Sequence, residues 1–497
     1  MKLSVKDMDI SSGDALIGIL NEKDAKLMDF HPGDRIKIVR GNRSETVMLN
    51  ISVGKQSVPK GSIGLFEEVL SSLQLHHKDS VEILPVRKPF SLELIKKKLD
   101  RLPLACSEIR QIVSDIVHNR LSSIELTYFV AACYMNELSK KETLCLTREM
   151  AMHGDKLKLS AYPVMDKHCI GGVAGNRTTM IIVPILAAAG LTIPKTSSRS
   201  ITSPAGTADT MEVLADVSLS LRQVKQVVEK TNGCIIWGGA LRLAPADDKI
   251  IRVERPLSID AESQLLASVI AKKASVGATH VLIDIPFGSG SKVLSRKKAL
   301  HLKREFEDIT GRLGIKTHVL LSDGSQPIGN GIGPALEARD VLWVLRNDAR
   351  GPADLRKKSL AMAGMMLEIG GKAKRGLGLK LAEEIVNSGQ AYRKFVDIIK
   401  AQGERVTKPE QIKPARYSLD IKSPRSGTIT HIQNSSISKI ARVAGAPADK
   451  AAGLFLYHHV GDRIQKGEPI FTVYSINKER LAFVKFAVRK LDGVVIK

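Results

Sequence analysis

Between Asp166 and Val213 the chain reads DKHCIGGVAGNRTT, then an apolar helical run, then IPKTSSRSITSPAGTADTMEV. Two loops rich in Gly, Ser and Thr each lead into an expected helix start, at about Arg177 and about Asp209. A helix start carries unpaired N–H groups and a partial positive charge, so it attracts anions. Two such starts on one α/β unit, with Lys167, Arg199 and several hydroxyls beside them, describe a cradle for phosphate. The chemistry expected is that of phosphate or a phosphorylated small molecule.

The first loop, Gly171 to Thr179, has a Walker A look but fails the test, because no Gly-Lys-[Ser/Thr] closes a G-x-x-x-x interval. Its glycines alone would suit a tight turn. Lys167 and His168 before it, and Thr178 and Thr179 at the helix start, favour the anion. The second loop, Thr196 to Thr207, holds seven hydroxyl residues and one Arg in twelve positions. A surface turn can be as rich in Ser and Thr, but a loop between a buried strand and a helix lets short donors ring an oxyanion. Ser268 and Lys272 lie four apart on the helix expected over Glu262–Val276 and share a face. Such a lysine is usually a snorkelling surface residue; beside Ser it can hold a polar ligand. Asp209 and Asp260 each adjoin a helix start and fit N-caps. Either, kept protonated in a dry pocket, could pass a proton to a leaving base. His168 also fits a core position, and His458–His459 reads as a strand pair with one ring to each side. No H-E-x-x-H spacing occurs, and no acidic metal cluster stands out beyond Asp247–Asp248. No metal and no cofactor are expected, phosphate being a co-substrate.

These residues need elements to hold them. Residues 1–88 read as a small β-rich domain, with strands in LIGIL, RIKIV and VEILPV and a helix in GLFEEVLSSLQL. VRKPF reads as a linker. From Ser91 the spacing turns helical, with a helix start at Ser123–Glu125. From about Leu159 to Ala415 the strands LTIPKTS, CIIWGG, HVLIDIP and KTHVLLSD alternate with helices, the α/β pattern. Gly-rich loops follow two of them, where ligands gather in such sheets. Residues 418–497, including AFVKFAVRK, read as a β-rich C-terminal domain.

With 497 residues, 43% hydrophobic and 26% charged, the chain is a multidomain globular protein. No apolar run is long enough to cross a bilayer, and MKLSVKDMDI lacks the apolar centre of a signal peptide. The expected location is the cytoplasm, with no membrane partner. The five cysteines, Cys106, Cys133, Cys145, Cys169 and Cys234, are scattered and odd in number, so reduced thiols are expected rather than a disulfide framework. The net charge of +23 is spread along the chain and aromatic residues are only 4%, which argues against a nucleic-acid partner.

The motifs DKHCIGGV, SSRSITSPAGTADT, LAPADD and LLASVIAKKASVGATHVLIDIPFGSGSK resemble the thymidine and pyrimidine nucleoside phosphorylase family. The resemblance is greatest to its branch of AMP phosphorylases and their bacterial counterparts. It implies a multidomain α/β fold: a helical domain (91–158 plus about 245–276) and a mixed-sheet α/β phosphate-binding domain (159–244 plus 277–415), with an active-site cleft between them and small β-rich domains at each end. It implies a pentosyltransferase, a homodimer or larger assembly, and a small-molecule nucleoside or nucleotide substrate. Phosphate attacks the sugar C1′ and the base leaves. The products are a base and a sugar 1-phosphate, or ribose 1,5-bisphosphate from AMP. Lys167 matches the lysine that binds the attacking phosphate; Cys169, Ser197, Thr207 and Thr179 match hydroxyls or loop positions around it. Gly172, the run Ser198, Arg199, Ser200, Ile201, Thr202 and Ser203, Thr207, Ser268 and Lys292 match nucleotide-binding positions. Lys272 would join Ser268 from the helical side. Asp260 matches the proton donor, with Asp209 as the substitute and His168 beside them.

Three departures shape the expectation. Cys169 stands where the family usually has Ser, and a thiol is a weaker donor. Thr210 replaces a Lys of the thymidine enzymes, and SPAGTAD replaces their HTGGTLD. The arginine that contacts the pyrimidine aligns with Arg252 or Arg255. These changes point to AMP over thymidine. The alternatives are thymidine phosphorolysis, a basic nucleic-acid-binding protein without catalysis, and a phosphoribosyltransferase, which would need pyrophosphate and Mg²⁺.

Overall fold

The computed structural model describes residues 1–13, 15–53, 57–86, 88–200, 203–254, 256, 259, 261–490 and 493–497. The chain forms two compact units, Met1–His153 with Pro245–Ala267, and Gly154–Ala244 with Ser268–Lys497.

The first unit begins with strands β1 (Lys2–Asp7) and β2 (Ile17–Asn21), helix α1 (Glu22–Leu27), strands β3 (Arg35–Arg40), β4 (Arg43–Ser52) and β5 (Ser62–Leu65), helix α2 (Glu67–Leu73) and strand β6 (Ser80–Pro85). The strands close a barrel in the order β1-β5-β2-β4-β3-β6. Alternation does the work: Ile36 and Ile38 of RIKIV turn inward with Leu20, Leu49, Ile63 and Ile83. Helices α3 (Ser91–Leu99), α4 (Cys106–Val117), α5 (Ser123–Met135) and α6 (Lys140–Met152) follow. The cap of α5 is Ser122, one residue before the expected start: its hydroxyl receives Glu125 N–H at 3.2 Å and Glu125 receives Ser122 N–H at 2.7 Å. The expectation of reduced thiols fails at one place. The first turn of α4 meets the middle of α6, and Cys106 and Cys145 are joined there with Cα atoms 5.4 Å apart. Cys133, Cys169 and Cys234 are free.

The second unit opens with β7 (Met165–Cys169), α7 (Thr178–Ala188), β8 (Ile193–Ser197), α8 (Thr207–Met211), α9 (Leu221–Thr231) and β9 (Gly233–Trp237). Helix α10 (Pro245–Glu254) returns to the first unit, where Lys249 Nζ donates to the carbonyls of Ile116 and Val117 at 2.7 and 2.8 Å. Helix α11 (Glu262–Ser275) is shared by chain: it counts with the first unit up to Ala267 and with the second from Ser268. Ser268 and Lys272 therefore group with the α/β residues, not with the helical side as expected.

The chain continues with β10 (His280–Phe287), α12 (Arg296–Gly311), β11 (Lys316–Asp323), β12 (Gly331–Ile332), α13 (Pro334–Leu345), α14 (Ala353–Ile369), α15 (Gly378–Asn387) and α16 (Gln390–Ala401). Strands β11, β10 and β7 pair in that order, a bridge from Val164 to Thr192 leads to β8, and β8 pairs with β9. A mixed sheet was expected, but every pair among these five strands is parallel among the described residues. Helical crossovers between strands return the chain in the same direction, which explains it. Helix α7, apolar all round, is buried from Thr178 to Ala187 in the core.

The C-terminal stretch adds β13 (Tyr417–Lys422), β14 (Gly427–Ile432), α17 (Asn434–Ala444), β15 (Gly453–Leu456), β16 (Arg463–Ile464), β17 (Pro469–Ser475), α18 (Lys478–Lys490) and β18 (Val494–Ile496). Two sheets, β12-β15-β17-β13 and β16-β14-β18, are antiparallel. AFVKFAVRK is not a strand: it belongs to α18, with Leu481, Val484 and Val488 packed inward at helical spacing. His458 and His459 lie in the turn after β15, not in a strand. No helix of the described residues is long and apolar enough to cross a membrane.

Candidate functional site

Successive side chains of a strand point to opposite faces, and β7 uses both. On one face Lys167 is 1% exposed and donates from Nζ to Thr178 Oγ1 at 2.9 Å. The Thr178 hydroxyl donates to Asn176 Oδ1 at 3.2 Å, and the Asn176 amide donates to Cys169 Sγ at 3.4 Å. Among the described residues no carboxylate comes within ion-pairing distance of Lys167. Burial lowers its pKa, with Cys169 and Asp284 pulling the other way. Asp284 itself, opposite Cys169 on β10, is engaged: Ser322 Oγ donates to it at 2.6 Å and Lys358 Nζ stands 3.2 Å away. A buried ammonium without a counter-ion is costly. Cys169 stays a thiol, pushed up to about 11 by burial and Asp284.

On the other face Asp166 is fully buried between Lys195 Nζ at 3.2 Å and Lys273 Nζ at 2.7 Å. Burial, and then Lys273, Lys195, Lys167 and Lys272, hold the His168 pKa well below the ordinary imidazole value. The His168 ring is therefore neutral at physiological pH and cannot serve as an acid. The unfolded chain protonates near pH 6.5 and the folded one does not, so this group's contribution to stability is present above pH 6.5 and is lost as pH falls below it. The His168 ring resonances are expected to keep their neutral-imidazole shifts as the pH is lowered through 6.5. A proton NMR titration with an inflection near 6.5 would refute this.

The Gly-rich loop is held by close approaches. Gly172 has φ +94°, and a Cβ there would lie 2.3 Å from the backbone N of Lys292. Arg177 caps α7, as expected, but its guanidinium is spent on structure. It bonds the Glu337 carboxylate and the Ala205 carbonyl, and reaches Asn176 O at 3.1 Å. Glu337 also receives Gly333 N–H at 3.0 Å and the Thr210 hydroxyl at 3.2 Å.

The second loop departs from expectation. Its helix, α8, starts at Thr207 rather than near Asp209 and has only five residues, too short for a useful macrodipole. Asp209 is a clamp: it accepts Ser200 N–H at 2.7 Å and Gly206 N–H at 2.9 Å, with Arg199 at 3.3 Å and Lys450 at 3.5 Å. Arg199 is held by its neighbours. It forms two bonds to Glu212, at 2.7 and 2.6 Å, and lies 4.8 Å over the Trp237 ring. Some hydroxyls are turned to backbone: Ser197 Oγ donates to Ile236 O and Ser203 Oγ to Ala205 O, both at 2.9 Å, and Ser200 Oγ to Ser203 O. Ser198 is exposed and Thr207, the first residue of α8, is half-buried.

The structure thus gathers Lys167, Cys169, Gly172, Thr178 and Thr179 where β7 meets α7, with the Lys292 backbone against Gly172. Ser268 and Lys272 stand half-buried one turn apart on α11, and Lys292 has its side chain at the surface. Arg252 is exposed on α10 of the first unit. Ile201, Thr202, Arg255 and Asp260 lie outside the described residues. Reading by motif missed Asp284, Ser322 and Lys358. The signal available was position: Asp284 and Ser322 close to the C-terminal ends of β10 and β11.

Residues 92–154 match the helical bundle domain of a glycosyl transferase family, and 161–392 match its a/b domain. Residues 428–491 match the pyrimidine nucleoside phosphorylase C-terminal domain. The AMP phosphorylase of Thermococcus kodakarensis is 44% identical over 499 residues, covering 100% of this chain and 98% of that one. The AMP phosphorylase of Methanococcus maripaludis strain C7 is 43% identical, covering 99% and 98%. The crystal structure of anthranilate phosphoribosyltransferase from Thermus thermophilus shares the fold, with a TM-score of 0.53 at 18% identity, over 62% of this chain and 98% of that one.

Proposed function

The chain belongs to the glycosyl transferase family of the AMP phosphorylases and pyrimidine nucleoside phosphorylases, and on that premise we propose that it converts AMP and phosphate to adenine and ribose 1,5-bisphosphate. The observation that carries the reading is Lys167, a buried ammonium without a carboxylate partner among the described residues, at the start of α7.

In the proposed mechanism phosphate settles against Lys167 and the backbone amides of Gly171 and Gly172. The C1′–N9 bond loosens and the sugar becomes cation-like. A phosphate oxygen forms the C1′–O bond, and adenine leaves with a proton. Holding the two reactants together supplies on the order of 7–11 kcal/mol of the barrier reduction. Asp260 is assigned the proton, since Asp209 is held by four donors and His168 is neutral. Asp260→Asn is expected to cut kcat by about 10²- to 10⁴-fold while phosphate affinity holds. Near-normal turnover would move the acid elsewhere.

Ser198, Ser203, Thr207, Ser268, Lys272 and Lys292 are assigned to the nucleotide, and Arg199 to shaping their loop through Glu212. The enzyme is assigned to the cytoplasm as a homodimer or larger homo-oligomer. The outer stripe of α5 supports association, for Ile124, Tyr128 and Met135 are 71%, 56% and 74% exposed on one helix face. The test is a panel of nucleosides and nucleoside monophosphates incubated with and without phosphate. Adenine released from AMP only with phosphate is the expected result. Thymine from thymidine would support the second reading, and no base from any candidate would overturn both.

A further inference from the structure

The C-terminal stretch reaches into the site loops at one residue. Asn434, the first residue of α17, is 1% exposed. Its Oδ1 accepts the N–H of Ala174, in the middle of the Gly-rich loop, at 3.0 Å. Its Nδ2 donates to the carbonyl of Gly324, just after β11, at 3.0 Å. A Cβ built on Gly290, in the loop after β10, would stand 3.4 Å from the Asn434 backbone N, so that loop also packs against it. The loops that follow β7, β10 and β11 thus meet at one side chain, 260 residues from Ala174.

The other half of the Ala174 peptide is tied down too. Its carbonyl accepts Ile328 N–H at 3.0 Å, and Ala174 itself is packed in the C-terminal core with Ile332, Ile437 and Leu454. Next along, Gly175 at φ +71° comes so close that a Cβ would lie 2.1 Å from Ile328 O. The loop therefore has little freedom in its second half. Gly171 and Gly172, whose amides are assigned to phosphate, lie three and two residues before the clamp. An amide side chain accepts from Ala174 through one atom and donates to Gly324 through another.

We propose that Asn434 is a positioning residue for the phosphate subsite, fixing the Gly-rich loop so that its amides and the start of α7 converge on the anion. The proposal rests on the phosphate reading of Lys167 and its loop given above. It makes the C-terminal stretch part of the catalytic assembly rather than an appendage. A displacement near 1 Å in such a site can cost about 100-fold in rate, and an unclamped loop would register it in phosphate first.

The test compares wild type, Asn434→Ala and Asn434→Asp in the full-length protein. Each is measured for thermal unfolding, for kcat, for KM of phosphate and of AMP, and for phosphate affinity by calorimetry. Asn434→Ala is expected to raise the phosphate KM about tenfold or more, with the AMP KM within about twofold. Asn434→Asp keeps the acceptor for Ala174 but sets a carboxyl oxygen against the Gly324 carbonyl, so a rise in phosphate KM at least as large is expected; it decides alone if the Ala variant does not fold. A folded variant with unchanged phosphate KM, or with both KM values raised alike, overturns the proposal. Failure of the wild type to release any base is a different result, against the phosphorolysis reading. In that case the calorimetric arm still decides the clamp: phosphate affinity lowered in the variants supports it, and equal affinity refutes it.

Discussion

Lys167→Met is expected to cut kcat/KM by about 10³-fold or more and, in the same protein, to raise the unfolding temperature. The two effects have opposite signs for one reason. Lys167 is 1% exposed, its Nζ is bonded to a threonine hydroxyl, and among the described residues no carboxylate pairs with it. Burial without a partner destabilises the charged form, which is why its pKa is lowered. In the free enzyme that ammonium is a cost, since the unfolded chain holds the proton more readily than the folded one. Methionine fills a similar volume without the charge, so the folded state gains. With phosphate bound the balance reverses: a dianion in a dry site meets an ammonium where Coulomb attraction is weakly screened. Loss of one donor to a developing charge costs about 2.7–4 kcal/mol, or 10²–10³ in rate, and a full charge exceeds that. A lysine that only supported the fold would lower stability and activity together. Thermal melts with and without phosphate check the pair of signs. A lowered unfolding temperature in the phosphate-free variant would show that Lys167 is structural.

How much of this was legible in the chain depends on distance along it. Lys167 and the Gly-rich loop lie within a dozen residues of each other, so composition alone placed them at a strand end before a helix. Which of the adjacent hydroxyls, Thr178 or Thr179, bonds the ammonium could not be read that way, because it turns on side-chain direction at the start of α7; it is Thr178. Arg199 looked free because its partner, Glu212, lies beyond a short helix whose start was misplaced by two residues. Asp284, Lys358 and Asn434 come from elements far along the chain, and parallel strand order and long crossovers bring them together. AFVKFAVRK fits both a period of 2 and a period of 3.6 over so short a window, and packing of Leu481 and Val484 decides for the helix. The Cys106–Cys145 pairing had no local signal at all, since it records the packing of α4 on α6.

The largest loss of stability is expected from Glu337→Ala, by about 3–5 kcal/mol. Arg177 and Glu337 form an ion pair in which the carboxylate is 1% exposed and the guanidinium is buried as well. Removal of the carboxylate leaves the guanidinium in the interior with only the carbonyls of Asn176 and Ala205. It also frees Gly333 N–H and the Thr210 hydroxyl, both of which now end on Glu337. An uncompensated charge and unmet donors add in the same direction. Burial pushes the Glu337 pKa up and Arg177 holds it down, so the pair also sets a test of cause. Glu337→Gln keeps an acceptor for the guanidinium and for one of the two donors, and should lose less than half as much as Glu337→Ala. Each kcal/mol moves the unfolding temperature of a body of 150–250 residues by about 2–4 °C, and of a larger one by less, so the two variants should separate by a few degrees. The double variant Arg177→Met, Glu337→Leu removes both charges together and should recover most of the Ala loss. Activity gives the complementary reading. Because Arg177 joins the start of α7 to the loop at Ala205, the doubly apolar protein should be stable yet slow, with phosphate KM raised. If it recovers full activity, the ion pair serves the fold alone and the two loops hold their places without it.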